Sequence, residues 1–175
     1  MNIQTKPLKK IINNVMSSES FKEELGSSHD YYPAHIFLQL DKNYEATNNC
    51  QVGFYSKEKD NLCMFEIIKE ESNFLAYEEA FKEGGVIEEL QIENEDVSFQ
   101  TAKDKFLELC KEKYPAEIIN NYIVIAQNIK GNNVLNCTAI SLSFAMISIH
   151  IDIESLEIIF EQKNSILDLK KDMPK

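Results

Sequence analysis

Met146-Ile147-Ser148-Ile149-His150-Ile151-Asp152-Ile153 alternates without a slip. Four isoleucines fall on one face, and Ser148, His150 and Asp152 fall on the other. A period of two marks a β-strand with one dry face and one wet face. The dry face demands an apolar partner. The nearest one upstream is the stripe Phe99, Ala102, Phe106, Leu109 and Cys110, at helical spacing, with Lys103, Asp104, Lys105, Glu108, Lys111 and Glu112 facing elsewhere. Ser98 is placed to cap that helix and Pro115 to close it. Between helix and strand lie two more strand-like runs, Tyr122 to Ile129 and Val134 to Ser143. They are separated by the turn residues Lys130-Gly131-Asn132-Asn133. Glu157 to Gln162 follows as a fourth strand, and Ile166 to Lys171 adds a little order. The stretch from Val97 to Gln162 thus reads as one helix and four strands.

The first half reads in the same way. Pro7 suits the first turn of a helix. Leu8, Ile11, Ile12 and Val15 follow at helical spacing, and the pattern resumes at Ser20-Phe21-Lys22-Glu23, a candidate capping box. One broken helix or two short ones is expected from about Pro7 to Leu25. Strands are expected over His35 to Leu40, Cys50 to Ser56 and Leu62 to Lys69. Phe74, Tyr77 and Phe81 sit three and four apart, so part of Glu70 to Glu83 is expected to be a helical turn. Gly84-Gly85 ends it, and Val86 to Ile92 reads as a short strand. The expected class is α+β: an antiparallel sheet with helices packed on one face. Residues 1–175 are expected to form a single compact domain, with candidate subunits at 1–92 and 97–170. Two short matches bear on those subunits: Tyr32-Pro33-Ala34 with Tyr114-Pro115-Ala116, and Asn48-Asn49 with Asn132-Asn133. A tandem duplication and chance in an Asn-rich chain both remain open.

Composition excludes several functions. Eighteen Lys and Arg against 29 Asp and Glu give a formal net charge of −11. A phosphate backbone or an anionic membrane would be repelled, so no nucleic-acid partner is expected. Acidity favours solubility and basic partners. No run approaches the ~18 apolar residues of a spanning helix, so no membrane insertion is expected. The start has neither the continuous apolar run nor the small-residue site of a signal peptide, and the expected location is cytoplasmic. The four cysteines, Cys50, Cys63, Cys110 and Cys137, form no C-x-x-C pair and are read as free thiols packed as small apolar groups.

The second half resembles a PepSY-type domain over about residues 98–162. The helix ending at Tyr114-Pro115, the strand Tyr122 to Ile129 and the hairpin Ile149 to Ile159 carry the likeness. That hairpin is similar to the pattern V-D-x-x-[ST]-G-E-V, with Leu156 where the family usually has Gly. The customary strand aromatics, often Trp, are missing, and the first half matches more faintly. The resemblance implies a small non-enzymatic α+β module that binds and regulates partner proteins, peptidases among them. A second likeness is one of architecture: class I type III secretion chaperones are also small, acidic and cytosolic, with helix and three-strand units.

Candidate chemistry is sparse. His150 and Asp152 share a strand face and are weak candidates for a metal pair or for base and orienter, but no third or fourth ligand is visible and a surface ion pair is the plainer reading. No sequence context activates a cysteine. Glu78-Glu79 and Glu88-Glu89 point apart as neighbours and read as solvated charge. Gly84-Gly85 lacks any phosphate-loop pattern. Tyr31-Tyr32 and Phe54-Tyr55 are read as core pairs or as the lining of a partner groove. No cofactor, no catalytic residue and no enzyme activity are expected; the partner is an unnamed protein. A third reading is a small-molecule binder between sheet and helices, with His35 or His150 as its polar group.

Overall fold

The computed structural model describes residues 2–26, 28, 30–80 and 86–169. Its elements run α1 (Leu8–Ser17), α2 (Glu19–Leu25), β1 (Tyr31–Asp41), β2 (Cys50–Ser56), β3 (Asn61–Ile68), β4 (Glu71–Glu79), α3 (Phe99–Lys113), β5 (Ile119–Ile129), β6 (Asn132–Ser141), β7 (Ala145–Asp152), β8 (Ile158–Ser165) and α4 (Ile166–Leu169). The eight strands form one antiparallel sheet in the order β4-β3-β2-β1-β5-β6-β7-β8. The chain is α+β, and mostly sheet. Each half is a four-strand meander, and the two join where β1 pairs with β5, Leu38 opposite Val124.

The alternation of β7 holds. Ile147, Ile149, Ile151 and Ile153 are fully buried. They share one buried cluster with Leu8, Ile11, Ile12 and Val15 of α1 and with Phe99, Ala102, Phe106 and Leu109 of α3. Ile36, Leu38, Val52, Phe54, Phe65, Val124, Ala126, Leu135 and Cys137 complete this inner side, each at 0% exposure. Burying an isoleucine or phenylalanine contributes about 1.5–3 kcal/mol, so this cluster dominates the stability. The Phe106 ring meets Tyr122 edge-on at 5.6 Å, and the Tyr44 hydroxyl donates to the Phe99 carbonyl at 2.7 Å, tying the loop after β1 to the start of α3.

Four expectations need correction. The N-cap of the second short helix is Ser18, not Ser20: Ser18 is extended and its Oγ accepts from the Phe21 N–H at 3.2 Å, whereas Ser20 lies inside the helix. Pro7 stands at the N-cap position, ahead of the first helical residue. The helical turn expected after Glu70 is strand β4, its Phe74 packed on Phe65 at 6.2 Å between ring centroids. The preceding hairpin turn is Lys69-Glu70, both with positive φ (49° and 72°). That geometry is a type I′ turn built without the usual Asn or Gly, so the sequence carries no signal for it. Val86 to Ile92 is not a strand; it runs as irregular chain with one ladder-like bond, Leu90 N–H to the Pro33 carbonyl at 2.8 Å. Phe81 and Gly84-Gly85 lie outside the described residues. Tyr32-Pro33-Ala34 lies within β1, whereas Tyr114-Pro115-Ala116 lies between α3 and β5, so that tripeptide match falls at unlike places.

Candidate functional site

On the other face of the sheet, opposite the main core, a shallow groove opens with a volume of about 520 Å³. Its floor crosses five strands: Glu78 and Glu79 on β4, Leu62 and Met64 on β3, Gln51 on β2, Ala34, His35 and Phe37 on β1, and Ile125 and Gln127 on β5. Its wall is Val86, Ile87 and Glu88. The wall is pinned at both ends. The Tyr32 hydroxyl donates to the Ile87 carbonyl at 2.7 Å, and the Asn128 side-chain amide donates to the Glu89 carbonyl at 3.0 Å. Ala34, Tyr55, Leu62 and Met64 form a small second core under that wall.

The centre of the groove is set by one glycine and one bulge. The register of β1 against β2 shifts between Pro33 and His35, so Ala34 is an extra residue. A bulge of this kind re-aims the side chain beside it. His35 comes to lie opposite Gly53, and its ring rests on the glycine backbone: a Cβ at Gly53 would collide with the imidazole. A strand glycine here marks a close approach rather than a turn. Burial pushes the His35 pKa down from 6.5 to about 4, so the ring is neutral at pH 7. Its nitrogens take no hydrogen-bond partner among the described residues. The same holds for the side chains of Gln51 and Gln127.

His150 and Asp152 share the outer face of β7, as expected, but the structure employs each in a separate task. His150 stacks on Phe160 at 4.5 Å between centroids, and burial lowers its pKa. Asp152 Oδ1 accepts from the backbone N–H groups of Glu154 and Ser155, at 3.1 and 2.8 Å, and so builds the β7–β8 turn. Among the described residues no group of three or more His, Cys, Asp or Glu is placed to hold a metal ion. The inner side, where the small-molecule alternative would place a ligand between sheet and helices, is filled by fully buried side chains; the cavity that includes His35 lies on the opposite face.

A polar network closes the far edge. Glu161 accepts from Lys113 and from the Tyr114 hydroxyl, and Glu117 accepts from Lys163 and Ser143. The hydrogen bond from Lys163, then those from Ser143 and Ser141, hold the Glu117 carboxyl down at about 2. The cysteines are free, and burial raises the thiols of Cys50 to about 12 and of Cys63 and Cys110 to about 11, with Cys137 also raised. Thiolate is the reactive form. In a thiol titration with a disulfide reagent at pH 8, the half-buried Cys110 is therefore expected to react first and the other three only after unfolding in guanidinium. Fast reaction of Cys50 in the folded protein would contradict this placement.

No helix among the described residues is long and apolar enough to cross a membrane. No protein-family model and no curated protein matches the chain. The chain is similar to the crystal structure of a candidate lipoprotein from Clostridium difficile 630, with 13% sequence identity and a TM-score of 0.53, over 91% of this chain and 94% of that one. At that identity the likeness shows the fold alone.

Proposed function

We propose that this chain is a non-enzymatic protein-binding module, PepSY-like in kind, that engages its partner through the outer face of the sheet. The observation that carries the reading is the groove itself: about 520 Å³ of open space over a strand floor, lined by apolar groups and by polar side chains left without partners. Exposed apolar surface rimmed by polar groups marks interaction sites. The PepSY likeness gains support at Leu156, which stands where the family usually has Gly. Its φ is 59°, in the left-handed region that favours glycine.

The reading includes two tandem units with the helices on one face. In its favour, strands in the second half follow those of the first at a spacing of about 85 residues throughout. Four free cysteines, three of them buried, fit a reducing cytoplasm.

The test is affinity capture from the native host with mass spectrometry, followed by reconstitution with the purified partner. Phe37→Asp, in the groove, is expected to abolish capture without lowering the melting temperature by more than a few degrees. Leu142→Asp, at a site 60% exposed and remote from the groove, is expected to retain it. Capture unaffected by Phe37→Asp would contradict the outer-face reading. The chaperone alternative expects a dimer, so light scattering at the 20.2 kDa monomer mass counts against it.

A further inference from the structure

Among the described residues, the charges lining the groove are of one sign. Its described lining contains Glu78, Glu79 and Glu88 and neither lysine nor arginine. None of these three carboxylates takes an ion-pair or hydrogen-bond partner among the described residues. At other places acids are paired: Glu161 and Glu117 with Lys113 and Lys163, and Glu95 with Lys9. These three acids border the open stretch of apolar strand surface described above. Between them sits His35, neutral at pH 7, which adds an acceptor nitrogen and no opposing charge.

The length of the groove selects among cationic ligands. From β4 to β5 the floor crosses four interstrand steps of about 4.8 Å, about 19 Å in all. An extended chain rises about 3.3 Å per residue, so about six residues span it. The floor presents apolar groups (Met64, Phe37, Ile125) beside amides (Gln51, Gln127), which suits a segment carrying both apolar and polar side chains better than it suits a uniformly charged polyamine. Resting on the protein-binding reading above, we propose that the groove receives an extended basic segment of the partner, with alternating apolar and Lys or Arg side chains. The apolar side chains lie on Met64, Phe37 and Ile125. The cations meet Glu78 at one end and Glu88 along the wall. Complementary charge of this kind fixes register and speeds encounter.

The experiment uses the full chain and three fluorescein-labelled hexapeptides, (Lys-Leu)3, (Gln-Leu)3 and (Glu-Leu)3, followed by anisotropy in 0.15 M salt. The expected result is saturable one-to-one binding of (Lys-Leu)3 alone. The triple variant Glu78→Gln, Glu79→Gln, Glu88→Gln is expected to weaken it at least tenfold. A control triple with the same loss of charge, Glu45→Gln, Glu108→Gln, Glu112→Gln, is expected to change it less than twofold. Equal weakening by both triples would reduce the binding to bulk attraction by the net charge and overturn the site. Displacement of (Lys-Leu)3 by spermine at equal concentration would overturn the peptide assignment. Equal binding of (Gln-Leu)3, lost on Phe37→Asp, would overturn the basic specificity while leaving the outer-face reading intact. Absence of binding by all three peptides would overturn the inference, and the capture experiment above then decides the broader reading independently.

Discussion

Ile149→Asp leaves the chain unfolded at 25 °C, while His150→Ala, one residue along, leaves it folded. Ile149 is at 0% exposure in the middle of β7, opposite Cys137 on β6 and within the inner cluster. The substitution removes an aliphatic side chain, at about 2–5 kcal/mol for lost burial and the space left behind. It also places a carboxylate where no cation can reach, and an uncompensated buried charge costs several kcal/mol more. The sum is comparable to the whole stability of a domain, about 5–15 kcal/mol. His150 points to the other face. Its truncation removes the stack on Phe160, worth about 0.5–1.5 kcal/mol. Far-ultraviolet circular dichroism and thermal melts separate the two outcomes. Equal melting of both variants with wild type would mean that β7 is set one residue out of register, which exchanges its faces.

Stability is expected to fall as the pH is lowered from 6.5 to 4, through His35. Its folded pKa is about 4 against 6.5 for a free histidine. Above pH 6.5 neither state holds the proton, so this group contributes no slope. Between 6.5 and 4 the unfolded chain binds the proton and the folded chain does not, so acid favours unfolding. Below 4 both are protonated and the loss is complete, at about 3 kcal/mol at most. His150, also lowered by burial, adds in the same direction. Glu117 acts in a lower window: its folded pKa near 2 stabilises the fold above 4.5 and that contribution is lost as the pH falls from 4.5 toward 2. Denaturant midpoints measured at pH 7, 5.5 and 4.5 isolate the histidines. Gly53→Ala is expected to lift the imidazole off the strand, return its pKa toward 6.5 in a proton NMR titration, and flatten the His35 part of the slope. A wild-type His35 titrating at 6.5 would contradict the packing of the ring on Gly53.

What the chain reveals of itself depends on whether the deciding physics is local. The faces of β7 and of α3 are local, because a period of two or of 3.6 is written in consecutive residues. Ser56 and Cys50 bound β2 where a polar turn and a polar loop flank an apolar run. Strand β4 was hidden because its hairpin turn is Lys69-Glu70, two residues with no intrinsic turn preference, held at positive φ by the strands on either side. Val86 to Ile92 has strand-like composition, yet its backbone makes one bond to the β1 backbone, at Pro33, and otherwise meets the side chains of Tyr32, Asn128 and Asn133 rather than forming a ladder. The candidate site was less legible still. His35 was visible as a polar residue in a strand, but its partner is a glycine 18 positions away, and the bulge that aims it leaves no mark on the hydrophobic pattern. Glu78 and Glu88 read as solvated charge because their meeting at one groove is a product of the sheet, not of their spacing.

The outer face is the centre of the functional account, and a 15N-labelled titration with (Lys-Leu)3 tests it residue by residue. The backbone amides of His35, Phe37, Gln51, Met64 and Gln127 are expected to shift together along one saturating curve, with the inner-face amides of Ile147 and Ile149 unmoved. Shifts scattered over the acidic surface, or confined to β7 and β8, would contradict it.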